Sequence, residues 1–312
     1  MFKLGLVIEE LRVSILAINP WREQFFNKYT CPENIDIPIH DPDAYKLNPK
    51  HSWVYNKLLI TEKQNISCGP HGIEPDIFPV FSKPIYNLKS LGFNTRLLQN
   101  QADYHEYYEP GCMWSTFYKG EHISTDVSVI NGEIQWCCHT IGYPLQDGTF
   151  DYWEIQKSGN KRVKSYLQDF IHQHLSGYTG MLNAETIDCK IIEIHLRSTS
   201  QWPDLYGNHF IQSVIDLYVK KTWQYKPNTN TGYSVVLFDE HKQYRKPSAD
   251  FISKFIDGKK VSSIQLPFDE SISFAAHSMP PGGFRLAIIN GFCLDSCLRV
   301  REAIHQEYKK IN

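Results

Sequence analysis

The chain has 312 residues, 42% hydrophobic and 13% aromatic, a composition that supports an ample buried core and excludes an intrinsically disordered protein. A net charge of −2 excludes any bulk electrostatic drive toward nucleic acid or an anionic membrane. No apolar run reaches the roughly 20 residues of a membrane helix, and Glu9-Glu10 stands where a secretory signal would be apolar, so the expectation is a cytoplasmic protein.

Residues 1–50 hold one apolar segment, from Leu4 to Ile18, and a Pro- and Asp-rich connection near 35–43, room for a short N-terminal piece. Residues 54–60 predict a helix start, 68–75 a Gly/Pro loop, and 78–83 a strand that ends at Pro84. Alternation over 123–130, Asn131-Gly132 and a second alternating run over 133–138 predict a hairpin. Within that second run Cys137 and Cys138 point to opposite faces. None of the eight cysteines has C-x-x-C spacing, which disfavours a zinc site or a disulfide scaffold. Helical spacing follows at 163–175, with Gly177 and Gly180 beyond it, and again at 210–218. The last third predicts a strand at 232–238, another at 285–289 and a closing helix over 294–308. The mixture indicates an α+β protein with largely antiparallel sheets.

The most informative stretch is 180–197. Apolar residues flank a polar break at Asp188-Cys189-Lys190, predicting a tight hairpin with Ile187 opposite Ile191 and Glu185 opposite Glu193. Alternation then places Asn183, Glu185, Glu193, His195 and Arg197 on one face, and Ile192, Ile194 and Leu196 on the other. Like charges directly opposite destabilise a sheet unless a cation compensates. Two readings fit the acids: a magnesium site completed by nucleotide phosphates, or a solvated hairpin edge on which they happen to align.

Four stretches stand in order along the chain: Asn56-Lys57 at a helix start, Phe78-Pro-Val-Phe-Ser-Lys83-Pro84, the segment from Tyr108 through Met113-Trp114-Ser115 and Gly120-Glu121 to Asp126, and Ile191-Ile-Glu193-Ile-His-Leu-Arg197. In this order, over residues 53–197, they resemble the ATP-grasp superfamily, whose members hold ATP between two α+β lobes and commonly activate a carboxylate as an acyl phosphate. The resemblance implies that Lys57 and Lys83 reach the nucleotide phosphates, a role that suits a compact point charge. It implies a loop over the phosphates with Ser90 and Gly92, an adenine strand formed by Met113, Trp114 and Ser115, and Glu121 on the ribose. It assigns Glu185 and Glu193 to Mg2+. Arg197 matches a position that holds the substrate carboxylate or the transferring phosphoryl group, for which a guanidinium fork is suited. His195 stands where the family commonly has asparagine, so metal ligation, substrate contact and acid/base work all stay open for it. Read without the family, the lysines are surface residues, Met113 and Trp114 core packing, and Arg197 half of a salt bridge.

Gln201 and Asp204 follow in a loop suited to an acceptor substrate, and 278–285 has the backbone freedom of a binding loop or of a simple turn. The chain lacks the Gly-x-Ser-x-Gly and Gly-x-Gly-x-x-Gly motifs, which disfavours an α/β-hydrolase and a Rossmann dinucleotide site. The expected organisation is a short N-terminal segment (1–50), an ATP-grasp core (51–210) and a C-terminal region that completes the fold or shapes the substrate site (211–312). The expected activity is an ADP-forming carboxylate–amine ligase using ATP and Mg2+. Its partners would be a small-molecule carboxylate and an amine, with no nucleic acid or membrane, and a homodimer left open. The alternatives are an ATP-grasp kinase and a nucleotide-binding protein without turnover.

Overall fold

The computed structural model describes residues 15–16, 24–26, 28–32, 34–88, 92, 94–145, 149–156, 159–227, 230–277 and 282–311. Two short strands, β1 (Ile15–Leu16) and β2 (Ile37–Pro38), pair in parallel and lead into helix α1 (Asp41–Leu47). The apolar segment expected from Leu4 to Ile18 lies outside the described residues except for β1. The helix expected from residue 54 begins as a 3-10 turn, Ser52–Tyr55, and restarts as α2 (Lys57–Glu62). The break is at Asn56, whose side-chain oxygen accepts the Leu59 N–H at 3.0 Å and so caps the new helix.

A four-stranded antiparallel sheet follows. Its strands β3 (Cys68–Pro70), β4 (Val80–Pro84), β5 (Arg96–Leu98) and β6 (Cys112–Thr116) lie in the order β3-β6-β4-β5. Helix α3 (Gln101–Glu106) covers it, with Val80, Leu98, Tyr104 and Trp114 buried together.

The larger sheet has eight strands in the order β11 (Lys190–His195), β10 (Gly180–Ile187), β7 (His122–Ile130), β8 (Glu133–Pro144), β9 (Phe150–Ile155), β12 (Gly232–Asp239), β14 (Phe284–Gly291) and β13 (Val261–Gln265), every neighbour antiparallel. Strands β7 (His122–Ile130) and β8 (Glu133–Pro144) form the hairpin predicted at Asn131-Gly132, both of which have positive φ. After β9 (Phe150–Ile155) comes helix α4 (Lys161–His174), which packs Val163, Leu167, Phe170 and Ile171 under β7, β10 (Gly180–Ile187) and β11 (Lys190–His195). Each fully buried aliphatic or aromatic side chain of this kind contributes about 1.5–3 kcal/mol. On the opposite face, helix α5 (Phe210–Lys220) packs Phe210, Ile211, Val214 and Ile215 against Trp153, Ile155 and Met181. Cys137 packs on the first cluster and Cys138 on the second, so the adjacent thiols do face opposite ways.

Residues of the last third continue the same sheet. Strand β12 (Gly232–Asp239) pairs with β9, and β14 (Phe284–Gly291) lies between β12 and β13 (Val261–Gln265). The short helix α6 (Ala249–Ser253) precedes β13. Helix α7 (Leu294–Ile311) buries Cys297, Val300, Ile304 and Tyr308 on these strands at helical spacing. No helix among the described residues is long and apolar enough to cross a membrane.

Candidate active site

The β10–β11 hairpin turns through Asp188 and Cys189, both left-handed at φ of 47° and 60°, a turn whose twist matches the strands it joins. Glu185 stands opposite Glu193 as expected, but Ile187 faces Lys190 and not Ile191. A β-bulge causes the difference. Thr186 pairs with Ile191, so Ile192 is an extra residue, and Ile191, not Ile192, joins Ile194 and Leu196 in the core.

The bulge presents the Ile192 carbonyl to the small sheet, where Lys83 Nζ of β4 donates to it at 2.9 Å. Lys57, the first residue of α2, reaches across to Glu193 Oε1 at 3.0 Å, while its backbone N–H bonds to Ile85 O just beyond β4. Two lysines and two carboxylates from α2, β4, β10 and β11 thereby meet where the two sheets approach. Burial pushes the Lys83 ammonium down to about 8, helped by the neighbouring Lys57 charge and partly opposed by Glu193 and Glu185.

Glu185 is held by His122, Nε2 to Oε2 at 2.8 Å. Burial works against its ionisation. The hydrogen bond and charge of His122, with the charges of His195 and Arg197, outweigh burial and bring the carboxyl down to about 2. His122 is itself braced edge-on by Phe150 and Trp153, with ring centroids 5.0 and 5.7 Å away. Behind Glu185, Asn183 donates to Ser124 Oγ and to the buried Asp126 carboxylate.

His195 and Arg197 both meet a residue that sequence reasoning missed. Asp41, 3% exposed at the start of α1, takes His195 Nδ1 at 3.0 Å on one oxygen and Arg197 at 2.8 Å on the other. Tyr55 donates its hydroxyl to Asp41 at 3.2 Å and accepts the Leu196 N–H at 3.1 Å. Burial opposes the Asp41 charge, but Arg197 and His195 hold its pKa far below the ordinary range. Burial likewise opposes an imidazolium at His195, and Asp41 still leaves its pKa raised. Removing one partner from a buried ion pair of this kind costs about 3–5 kcal/mol. The other imidazole nitrogen faces Glu193 at 3.6 Å.

The remaining sequence candidates are placed less centrally. Met113 is fully buried and lies directly opposite Lys83 in the β4–β6 ladder, with Ser115 opposite Phe81. The Trp114 side chain belongs to the small-sheet core and donates to Ile73 O at 2.6 Å, and its backbone stands in a central strand between Gly69 of β3 and Ser82 of β4. Glu121 is exposed just before β7. Gly92 is left-handed at φ of 62°, and Ser90 lies outside the described residues, as do residues 278–281 of the second proposed loop. Gln201 and Asp204 hydrogen-bond to the large sheet: Asn290 Nδ2 donates to both, Gln201 donates to Ser234, and Ser263 donates to Asp204. These bonds fasten the segment after Arg197 onto β12, β13 and β14.

No protein-family model matches the chain, and no curated protein matches its sequence. Solved structures do. The L-amino acid ligase of Bacillus licheniformis is similar over 92% of this chain and 82% of its own, with a TM-score of 0.63 at 12% identity. The N5-carboxyaminoimidazole ribonucleotide synthetase of Thermus thermophilus gives 0.57 at 11% identity over 88% and 82%. A carboxyaminoimidazole ribonucleotide synthase of Aspergillus clavatus, complexed with ATP, gives 0.55 at 11% identity over 86% and 80%. The chain has an ATP-grasp fold.

Within this ATP-grasp fold the charged cluster lies between the two sheets, with Lys57 and Lys83 on the small-sheet side and the acids on the large one. Glu185 and Glu193 offer opposed hard oxygen donors on one face, the set from which magnesium takes one or two carboxylates while water and phosphate oxygens complete its shell. His195 Nε2 is poised beside Glu193 but is a softer donor than that cation prefers.

Proposed function

We propose that the protein is an ADP-forming, ATP-dependent ligase that joins a carboxylate to an amine through an acyl phosphate. The observation that carries the reading is the convergence of Lys57, Lys83, Glu185 and Glu193 between the two sheets. Lysines alone would suit any anion, and opposed acids alone would suit any cation. Together they match a polyphosphate with its bound cation. The similarity to ligase structures, one of them holding ATP, supports the same reading.

In this mechanism Lys57 and Lys83 bind the phosphate oxygens, and Lys57 exchanges Glu193 for phosphate as it does so. Glu185 and Glu193 would hold magnesium, which when bound neutralises charge on the phosphates. The substrate carboxylate attacks the γ-phosphorus and ADP leaves. The amine then attacks the acyl carbon, inorganic phosphate departs, and the amine nitrogen loses its proton. Arg197 stabilises the charge that spreads over the transferring oxygens, using N–H donors beyond the two bonded to Asp41 and Ser198. No side-chain nucleophile is required, because phosphoryl transfer is accelerated by positioning and preorganised charge.

Calorimetric titration with a non-hydrolysable ATP analogue, with and without magnesium, tests the nucleotide site. Magnesium-dependent binding that Lys83→Ala abolishes is expected, followed by ADP release that requires both an acid and an amine. ADP release with an acid or alcohol alone would indicate a kinase, and binding without ADP release a nucleotide-binding protein.

A further inference from the structure

Three consecutive residues beyond Glu193 are tied to two side chains that lie outside the large sheet. His195 and Arg197 bond to Asp41, the Leu196 N–H bonds to Tyr55, and Tyr55 bonds to Asp41. The unit is rigid from both ends. Ile37 and Ile39, just before Asp41, are buried in one core cluster, and Ala44 on the next turn of α1 is buried in another. Tyr55 in turn precedes the capping Asn56 and the phosphate-side Lys57.

Resting on the ligase reading above, we propose that Asp41 is a positioning residue for the transfer step: with Tyr55 it fixes the Arg197 guanidinium in the site before substrate arrives. An arginine has long-stem rotamer freedom that would otherwise be lost anew in each transition state. The Asp41 carboxylate removes that freedom in the resting protein and, at the same time, offsets the charge of a largely buried cation. The N-terminal segment is thus a working part of the site. A merely structural ion pair would stabilise the fold and leave turnover by the folded protein unchanged.

The test combines a spectrum with kinetics. In 15N-arginine-labelled protein, a resolved set of guanidinium N–H signals that Arg197→Lys removes is expected, and Asp41→Asn should collapse it to a motionally averaged signal. In Asp41→Asn, kcat for acid- and amine-dependent ADP release should fall about 100-fold, the scale on which a displaced positioning group costs rate, while KM for ATP changes less than about 3-fold. If Asp41→Asn does not fold, Tyr55→Phe carries the kinetic test, with an expected loss of about 10-fold in kcat at unchanged KM. Wild-type kcat in whichever of these variants folds, or an averaged Arg197 signal in the wild-type protein, overturns the proposal. Absence of ADP release from the wild-type protein with every acid and amine overturns the ligase reading instead, and the guanidinium spectrum then decides by itself whether Asp41 holds Arg197.

Discussion

Glu185 and Glu193 stand directly opposite each other in the β10–β11 ladder, and each is held by a different base: His122 on the first, Lys57 on the second. The two acids are therefore not interchangeable. Glu193→Gln keeps the shape, deletes a ligand charge and releases Lys57. We expect magnesium-dependent nucleotide binding to be lost and ADP release to fall by about 100-fold or more, with the thermal midpoint shifted by only a few degrees. Magnesium-dependent binding that survives in folded Glu193→Gln would remove Glu193 from the cation site.

Lys83 sets a pH dependence. Burial lowers its pKa from the ordinary 10.5 to about 8, so the ammonium is charged below that pH and neutral above it. Phosphate prefers the charged form, and affinity for an ATP analogue should weaken as pH rises through about 8, approaching about tenfold per unit. Stability runs the other way. Between about 8 and 10 the unfolded chain binds the proton that the folded chain has lost, so the Lys83 contribution to unfolding free energy rises with pH. Lys83→Met should flatten both trends, and calorimetry and denaturant titration at pH 7 and 9 read them.

His122 governs the carboxyl beside it. A folded pKa near 2 means that the Glu185 contribution to stability is present above the ordinary carboxyl range and is lost as pH falls toward 2. Removing the imidazole with His122→Ala should raise that pKa, so that the contribution shrinks and its loss is complete at a higher pH. Carbon-13 NMR of labelled glutamate reads the shift directly. A Glu185 signal still titrating near 2 would show that His122 is not its principal partner.

Asn56 is adjacent to a proposed phosphate ligand, yet its bond to the Leu59 N–H gives it a local task. Asn56→Ala should cost about 0.5–2 kcal/mol of stability, and Asn56→Asp should cost little, because aspartate caps equally well. Equal denaturation midpoints for all three proteins would deny the cap any weight.

That the acids share a face was legible from strand alternation, but across the two-residue turn that forms, Glu185 meets Glu193 only because one residue is inserted before Glu193. The bulge at Ile192 was not, since one inserted residue leaves no mark on composition, and it displaced the expected Ile187–Ile191 pair. Lys57 and Lys83 were singled out by the resemblance, and the reading of them as surface residues fails because both side chains are buried. Asp41 was hidden for a different reason. It lies more than 150 residues before its partners, and one aspartate of a Pro- and Asp-rich stretch reads as a turn residue until the fold brings α1 to β11. Trp114 was legible as an aromatic on a strand, but not the direction of its indole, which depends on the packing of α3 against the small sheet.

Because β12 pairs with β9, and β14 and β13 follow it, residues 232–291 cover the β9 edge of the large sheet. A fragment trimmed near residue 210 would keep every charged group of the proposed site and still present the bare hydrogen-bonding edge of β9 to solvent. Such an edge recruits other chains. The expected fate of that fragment is precipitation, so the smallest soluble unit carrying the site includes the C-terminal third.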